Sequence, residues 1–224
     1  MQDIENYNYF ITEGIKRLGY SVTPKEVSQL LVYLKALKQW NTKINLTTIQ
    51  DEREVIIRHF LDSLAGLAVL PVQNSSTIPC KVMDIGTGAG FPGLPIKICS
   101  PLIHLTLLEP RKKKAAFLHS VCGQLGLTGV DILAERLEAL AKAPRYKEGY
   151  DILLSRALKV SRFLGLVSSL LRTNGRLVLW TVQASGALLQ ESKGFSMWKP
   201  PHVISYRLPF ENLERNLIVL EKTR

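Results

Sequence analysis

Residues 84–93 read Asp-Ile-Gly-Thr-Gly-Ala-Gly-Phe-Pro-Gly, and they complete a short apolar run that begins at Lys81. Glycine lets a backbone turn tightly and approach a ligand at positions where a Cβ atom would collide. In an open α/β sheet, ligands bind beyond the carboxyl ends of the strands. The stretch therefore predicts a strand that ends in a ligand-binding turn.

An acidic residue occupies a matching place after the next predicted strand. Glu109 ends the run 105–109 and follows Asp84 by 25 residues. A carboxylate at about this offset can accept hydrogen bonds from ribose hydroxyls. Loop and acid together favour a nucleoside-containing cofactor. The alternative is a glycine-rich connection followed by a surface glutamate.

The glycine spacing argues against a dinucleotide. Dinucleotide-binding loops read Gly-x-Gly-x-x-Gly, a spacing that serves the approach to a pyrophosphate. Here the spacing is Gly-x-Gly-x-Gly, and Pro92 and Pro95 interrupt the helix that should follow. A nucleotide- or dinucleotide-binding oxidoreductase is therefore the second hypothesis rather than the first.

The rest of the chain predicts an α/β fold with a mixed sheet. Strand-length apolar runs alternate with helix-length segments, which is typical of a mostly parallel, helix-covered sheet. The last two runs, at 202–207 and 216–221, are joined by a loop too short for a helix. They predict an antiparallel strand pair that closes one edge. The earlier runs lie at 81–85, 105–109, 130–133, 151–154 and 176–180.

Residues 1–70 predict a small N-terminal helical lobe. Thr23, Pro24 and Glu26 form a capping-box pattern, and apolar residues follow at helical spacing. Asp51, with Glu54 three residues later, predicts a second helix start. The turn-rich stretch 71–79 predicts a link to the second domain, which we place at 78–224.

Composition narrows the functional class. The 224 residues are 46% apolar, which excludes a mainly disordered chain. The net charge of +10 favours polyanionic partners, of which nucleic acid is the commonest, but charge alone does not separate nucleic acid from an anionic membrane. No apolar stretch approaches the ~20 residues of a membrane span, and no signal peptide is expected. Three unpaired cysteines and four scattered histidines predict no metal site and a cytoplasmic location. The oligomeric state is not predicted.

The glycine loop resembles that of class I S-adenosylmethionine-dependent methyltransferases. More closely, residues 84–93 are similar to the signature of the RsmG (GidB) family. These bacterial enzymes methylate N7 of one guanine in small-subunit ribosomal RNA. The resemblance runs from about residue 40 to the C-terminus. Besides the loop, it is carried by the stretches 40–48 (Trp-Asn-Thr-Lys-Ile-Asn-Leu-Thr-Thr), 58–63 (Arg-His-Phe-Leu-Asp-Ser), 136–138, 155–157 and 214–220.

The resemblance implies that S-adenosylmethionine is the cofactor and assigns residues to it. Gly86 would offer backbone at the methionine end, Phe91 would shape the pocket wall and Glu109 would hold the ribose hydroxyls. Leu137 and Glu138 would flank the adenine. Arg156, which follows the fourth strand, would face the pocket. The alternative for Leu137 is a buried helix residue without a ligand. The alternative for Glu138 and Arg156 is an ordinary charged residue on the surface.

The resemblance also implies a partner, which is ribosomal RNA or the small ribosomal subunit. Asn45, His59, Arg136 and Arg215 are the candidate RNA-binding residues. A buried core histidine is the alternative for His59, and a side chain that braces its connector is the alternative for Asn45. The basic run 111–114 is either a phosphate contact or a solvated helix start. Trp180 and Thr181 stand where many members carry a Lys-Gly pair.

The implied reaction needs no general base. Guanine N7 is a lone-pair acceptor without a proton, so it can attack a sulfonium methyl group directly. We therefore predict no catalytic acid–base residue, and expect the protein to act by orienting the reactants. A non-catalytic RNA-binding protein on a methyltransferase fold is the third hypothesis, but the glycine loop is complete.

Overall fold

Seven strands form one mixed sheet within the described part of the chain. The computed structural model describes residues 2–70, 79–156, 163–182 and 195–223. The strands are β1 Lys81–Ile85, β2 His104–Leu108, β3 Val130–Leu133, β4 Tyr150–Ser155, β5 Leu171–Thr181, β6 His202–Arg207 and β7 Glu214–Glu221. Their order across the sheet is β3-β2-β1-β4-β5-β7-β6. β1 to β5 pair in parallel, whereas β7 is antiparallel to both β5 and β6. The predicted mixed sheet with an antiparallel C-terminal pair is confirmed.

Helices cover the sheet and precede it. The α-helices are α1 Gln2–Arg17, α2 Pro24–Asn41, α3 Glu52–Val55, α4 Asp62–Leu64, α5 Gly93–Cys99, α6 Lys112–Leu125, α7 Leu137–Leu140 and α8 Leu164–Leu170. A wider π-helical segment, Ile56–Leu61, joins α3 to α4, and a 3-10 helix, Ala65–Val69, continues from α4. Residues 52–69 therefore form one continuous helical rod. The described residues contain no helix that is both long and apolar enough to cross a bilayer.

Local sequence explains where the first helices begin. Thr23 Oγ1 accepts from the Glu26 N–H at 3.3 Å, and the Glu26 carboxylate accepts from the Thr23 N–H at 2.6 Å. Asp51 Oδ1 accepts from the Glu54 N–H at 2.8 Å. These bonds satisfy backbone donors that have no partner inside the helix. Both predicted helix starts are confirmed.

The N-terminal helices share a core with the sheet and support the glycine loop. Tyr33 of α2 is fully buried, and its ring stacks on Phe60 and Phe91 with centroids 5.1 and 5.5 Å away. Its hydroxyl donates to the carbonyl of Ala89 inside the loop at 2.5 Å. The division into a lobe at 1–70 and a domain at 78–224 stays a prediction. Almost all of the predicted link at 71–79 lies outside the described residues.

The parallel strands bring distant parts of the chain to one edge of the sheet. Ile85 is in register with Leu108, and Ser155 with Leu179. The residues that follow β1, β2, β4 and β5 therefore meet at the same edge. That edge is where ligands bind in sheets of this kind.

Candidate functional site

A buried carboxylate holds the glycine loop, residues 86–93, against the strand that it leaves. Asp84 is fully buried in β1. Its Oδ2 accepts from Thr87 Oγ1 at 2.6 Å and from the Gly93 N–H at 2.8 Å. A Cβ atom on Gly93 would lie 2.9 Å from the same oxygen. Glycine is therefore required at 93 for the loop to close on Asp84.

Burial changes the acidity of Asp84. Removal of this carboxyl from water raises its pKa to about 7, against the lowering effect of the bonds from Thr87 and Gly93. Its second oxygen, Oδ1, is buried without a hydrogen-bond partner among the described residues. Below pH 7 this group is therefore mostly a neutral acid, which suits its apolar surroundings.

Two glycines of the loop face different environments. Gly88 has φ +61, and a Cβ atom there would meet only Lys114 Nζ, at 3.9 Å. Gly90 has φ +103, and its Cβ would lie 2.5 Å from Leu94 Cδ1 and 2.6 Å from the Tyr33 hydroxyl. Gly88 thus leaves its backbone open to a ligand, whereas Gly90 belongs to the packed base of the loop. Gly86 also has a positive φ, +71.

Glu109 faces the open side of this loop. The residue is 5% exposed and comes directly after β2. Its two carboxylate oxygens accept from the Gly88 N–H at 3.0 Å and from the Arg111 N–H at 2.9 Å. Because each carboxylate oxygen can accept two hydrogen bonds, both retain capacity for a ligand hydroxyl. The donor set and the open Gly88 backbone fit the ribose of a nucleoside cofactor.

The segment after β3 brings three predicted residues to the same edge. Leu137 begins α7, is buried, and packs in one apolar cluster with Ile85 and Leu108. Arg136 and Glu138 flank it in sequence and are exposed. Leu137 therefore anchors the start of α7 in the core, while the two charged neighbours face solvent.

Phe91 connects the glycine loop to His59. The two rings stack with centroids 4.6 Å apart and planes 20° apart. His59 Nε2 lies 2.7 Å from Thr47 Oγ1, and its Nδ1 lies 3.1 Å from Arg156 Nη2. Since arginine can only donate, Nδ1 accepts, and the proton of the neutral ring is on Nε2. Burial and the charge of Arg156 lower the pKa of His59 to about 3.

Arg156 joins His59 to a buried carboxylate that the sequence did not single out. Its Nη2 donates to the carbonyl of Arg58 at 2.5 Å, and its Nε lies 3.3 Å from Asp62 Oδ2. Asp62 is 4% exposed, and its Oδ1 accepts from the Tyr206 hydroxyl at 2.6 Å. Arg215 Nε lies 3.9 Å from that same oxygen. One carboxylate therefore holds two arginines from distant parts of the chain.

These side chains line a cavity of about 430 Å³, which we name the Asp62 pocket. Its lining residues are Asp62, Arg156, Trp180, Thr181, Val182, Tyr206 and Arg215. Trp180 Nε1 donates to the Asp62 carbonyl at 2.8 Å, which anchors the pocket wall to the helical rod. The structure thus brings Arg156, expected at the cofactor, together with Arg215, expected at RNA.

Asp62, Trp180 and Tyr206 were missed by sequence reasoning. Asp62 lies inside the quoted stretch 58–63, whereas Trp180 was noted only as a departure from a Lys-Gly pair. Tyr206 had no signal beyond its place in a strand. Most of the segment 183–201, to which the sequence assigns no role, lies outside the described residues.

The connector before the helical rod is held by Asn41. Its Oδ1 accepts from the N–H groups of Leu46 and Thr47 at 2.8 and 3.0 Å, which places Thr47 against His59. Asn45 itself is exposed. In the basic run at 111–114, Lys114 is half-buried beside Gly88, and the other three residues are exposed at the start of α6.

Solved structures share this fold. TrmN from Thermus thermophilus matches with a TM-score of 0.55 and 20% identity, over 75% of this chain and 53% of that one. A SAM-dependent methyltransferase from Aquifex aeolicus matches with a TM-score of 0.54 and 13% identity, over 76% of this chain and 93% of that one. The seven-stranded sheet, with a glycine loop after β1 and an acid after β2, defines a class I methyltransferase fold.

Sequence relatives define the family more narrowly. A family model described as "rRNA small subunit methyltransferase G" matches residues 26–197. A protein of that name from Pelotomaculum thermopropionicum is 34% identical over 218 residues, 95% of this chain and 89% of the relative. Another from Dictyoglomus thermophilum is 43% identical over 154 residues, 69% of this chain and 62% of the relative. The chain belongs to the rRNA small subunit methyltransferase G family, as its resemblance predicted.

Proposed function

We propose that this protein transfers a methyl group from S-adenosylmethionine to N7 of a guanine in small-subunit ribosomal RNA. Family membership supports the reaction class and the RNA substrate. The single observation that carries the proposal is the sheet edge, where a glycine loop with a buried acid adjoins a pocket with two arginines. The first half suits a nucleoside cofactor and the second half suits a polyanion.

The loop half would hold the cofactor. Glu109 would accept bonds from ribose hydroxyls while it keeps Gly88 in place, and the Gly86 backbone would lie at the methionine end. Phe91 would form the wall, and Leu137 and Glu138 would flank the adenine. When bound, S-adenosylmethionine supplies an electrophilic methyl group on a sulfonium. These assignments agree with the open backbone at Gly88 and the spare acceptor capacity of Glu109.

The opposite half would hold the RNA. Arg215 and His59 lie at or beside the Asp62 pocket, whereas Asn45 and Arg136 are exposed. The net charge of +10 supplies long-range attraction for a polyanion. RNA bases are read mostly when they are unstacked, so the target guanine would be splayed into the space between the two halves.

The side chains at this edge favour orientation over proton transfer. Guanine N7 carries no proton, so the reaction needs no base. His59 uses Nδ1 to accept from Arg156 and Nε2 to contact Thr47, so neither ring nitrogen is available for acid–base work. Its role would be to keep Phe91 stacked and to hold the glycine loop in a fixed position relative to the Asp62 pocket. Orientation of this kind can lower a barrier by ~7–11 kcal/mol.

The direct test is methyl transfer from labelled S-adenosylmethionine to unmethylated small ribosomal subunits and, separately, to their RNA. We expect label at N7 of one guanine, mapped by cleavage at 7-methylguanine. No transfer to either substrate, with cofactor binding intact, would contradict the proposal.

A loop variant tests where the cofactor binds. Gly86→Arg should abolish binding of S-adenosylmethionine in calorimetry, because it places a long side chain at a backbone position with positive φ. Circular dichroism should show the sheet and helices retained. Unchanged affinity in this variant, or stabilisation of the wild type by NAD alone in a thermal-shift screen, would reject the assigned pocket.

A further inference from the structure

The Asp62 pocket has an excess of positive charge. Among the described residues that line it, Arg156 and Arg215 are cationic and Asp62 is the one carboxylate. Both arginine side chains are about three-quarters buried, at 23% and 26% exposure, whereas the Asp62 side chain is 6% exposed. Within this lining two guanidinium groups therefore share one carboxylate, and an excess charge in a partly desolvated site is costly unless a ligand neutralises it.

Two nitrogens of the pocket's arginines also lack a hydrogen-bond partner among the described residues. Arg156 Nη1 and Arg215 Nε are buried nitrogens without a hydrogen-bond partner in the described part of the chain. The 3.9 Å between Arg215 Nε and Asp62 Oδ1 is an ion pair but not a hydrogen bond. Buried donors are normally satisfied, so these two indicate a missing acceptor.

Asp84 Oδ1 is also buried and unpartnered within the described ranges, but it makes no hydrogen bond to Arg156 Nη1 and does not line the pocket. The other neighbouring polar groups do not supply the acceptor either. The Tyr206 hydroxyl donates its proton to Asp62, and His59 Nδ1 is already used by Arg156 Nη2. A ligand for this pocket should therefore accept hydrogen bonds and carry one negative charge. A phosphodiester has both properties, whereas guanine O6 has only the first.

We propose that the Asp62 pocket binds a phosphodiester of the RNA strand. Arg215 and Arg156 make the contacts, and Asp62 is the positioning residue that holds both guanidinium groups. This inference rests on the proposed function, since it concerns the same RNA. It changes the expected role of Arg156 from the cofactor to the RNA backbone, and makes the antiparallel β6–β7 pair part of the substrate site.

The salt dependence of RNA binding tests this proposal. The dissociation constant of the full-length protein for unmethylated small-subunit RNA is measured by filter binding between roughly 50 and 200 mM salt. Arg215→Gln should weaken binding on the order of tenfold or more. It should also reduce the slope of log Kd against log salt by ~0.7–0.9, the share of one phosphate contact. Arg215→Lys retains the charge and should restore the slope.

The same strand pair offers a matched control. Arg207 lies on β6, is exposed and does not line the pocket. Arg207→Gln removes the same charge and should leave the slope and the affinity close to wild type. Circular dichroism of all variants checks the fold. Should Arg215→Gln not fold, Arg156→Gln is expected to reduce the slope in the same way.

Two results would overturn the phosphate assignment while wild-type methyl transfer to RNA persists. Weaker binding by Arg215→Gln with an unchanged salt slope would mean a contact to a base instead of a phosphate. Unchanged affinity and slope would mean that the RNA does not enter the pocket. Absence of methyl transfer by the wild type is a different failure, because it rejects the proposed function itself.

Discussion

The sheet edge has two halves, the glycine loop with its acids and the Asp62 pocket, and they present different kinds of chemical group. The loop half consists of backbone and two buried carboxylates, Asp84 and Glu109, which accept mostly from main-chain N–H groups. The pocket half consists of side chains, with two arginines around Asp62. A main-chain site with spare acceptor capacity on Glu109 suits the ribose of a nucleoside cofactor, and a donor-rich side-chain site suits RNA. The contrast indicates how one edge can offer separate sites to two different reactants.

The halves also differ in how far apart their residues lie in sequence. Asp84, the loop and Glu109 fall within 26 residues. Asp84 lies at the end of β1, the loop follows β1, and Glu109 follows β2. The Asp62 pocket combines residue 62 with residues 156, 180, 206 and 215. Loop geometry should therefore tolerate substitution least, because its function and its packing are fixed by the same few backbone positions.

The largest effect is expected from alanine at Gly90. A Cβ there would lie 2.5 Å from Leu94 Cδ1, and φ is +103, so packing and backbone are both strained. We expect the free energy of unfolding to fall by about 3–5 kcal/mol. Gly88→Ala is the control, because its Cβ meets only Lys114 Nζ at 3.9 Å. In this variant only the positive φ is unfavourable, so the free energy of unfolding should fall by about 1–2 kcal/mol.

Urea unfolding of the three proteins measures both values. An equal loss for the two alanine variants would show that the base of the loop is no more tightly packed than its open side. The comparison of the two halves would then lose its structural basis on the loop side.

The next effect is a pH dependence in the loop half. The pKa of Asp84 is about 7 in the folded protein against 3.8 as its ordinary value. Between these values the unfolded chain is ionised and the folded protein is protonated, so folded stability falls as pH rises. Relative to Asp84→Asn, the wild type should lose on the order of 3 kcal/mol between pH 4 and 7 and little beyond.

Asparagine is the matched replacement because its amide oxygen can still accept from Thr87 and Gly93. Urea unfolding at intervals from pH 4 to 8 gives the difference in unfolding free energy between wild type and variant. A difference that is flat, or that grows with pH, would show that Asp84 is ionised throughout.

The fold was predictable because its signals are local. The capping residues Thr23 and Asp51 and the apolar strands are each read from adjacent residues, and the structure confirms them. The loop and Glu109 were predictable for the same reason. Asp62 and Tyr206 were not, because their meaning arises only when β7 places Arg215 opposite Tyr206 and beside the helical rod. The spacing of residues along the chain does not reveal which residues of two strands lie opposite each other in a sheet.

The smallest effect is the pH dependence of stability that comes from His59 in the pocket half. Its sign is opposite to that of Asp84. The pKa of His59 is lowered from 6.5 to about 3, so the folded protein resists protonation that the unfolded chain accepts. Stability from this group is present above pH 6.5 and is lost as pH falls. Relative to His59→Phe, the wild type should lose about 1–2 kcal/mol between pH 7 and 5.

Phenylalanine is chosen because it can retain the stack on Phe91 while it removes the titration and the contacts to Thr47 and Arg156. As pH rises, Asp84 on the loop side should therefore lower the free energy of unfolding of the wild type, whereas His59 on the pocket side should raise it. Arg156 links the two, because its charge lowers the pKa of both groups. If the His59 difference rose as pH fell, protonation would be favoured in the folded state. Nδ1 could then not accept from Arg156, and the junction between the halves would have to be built differently.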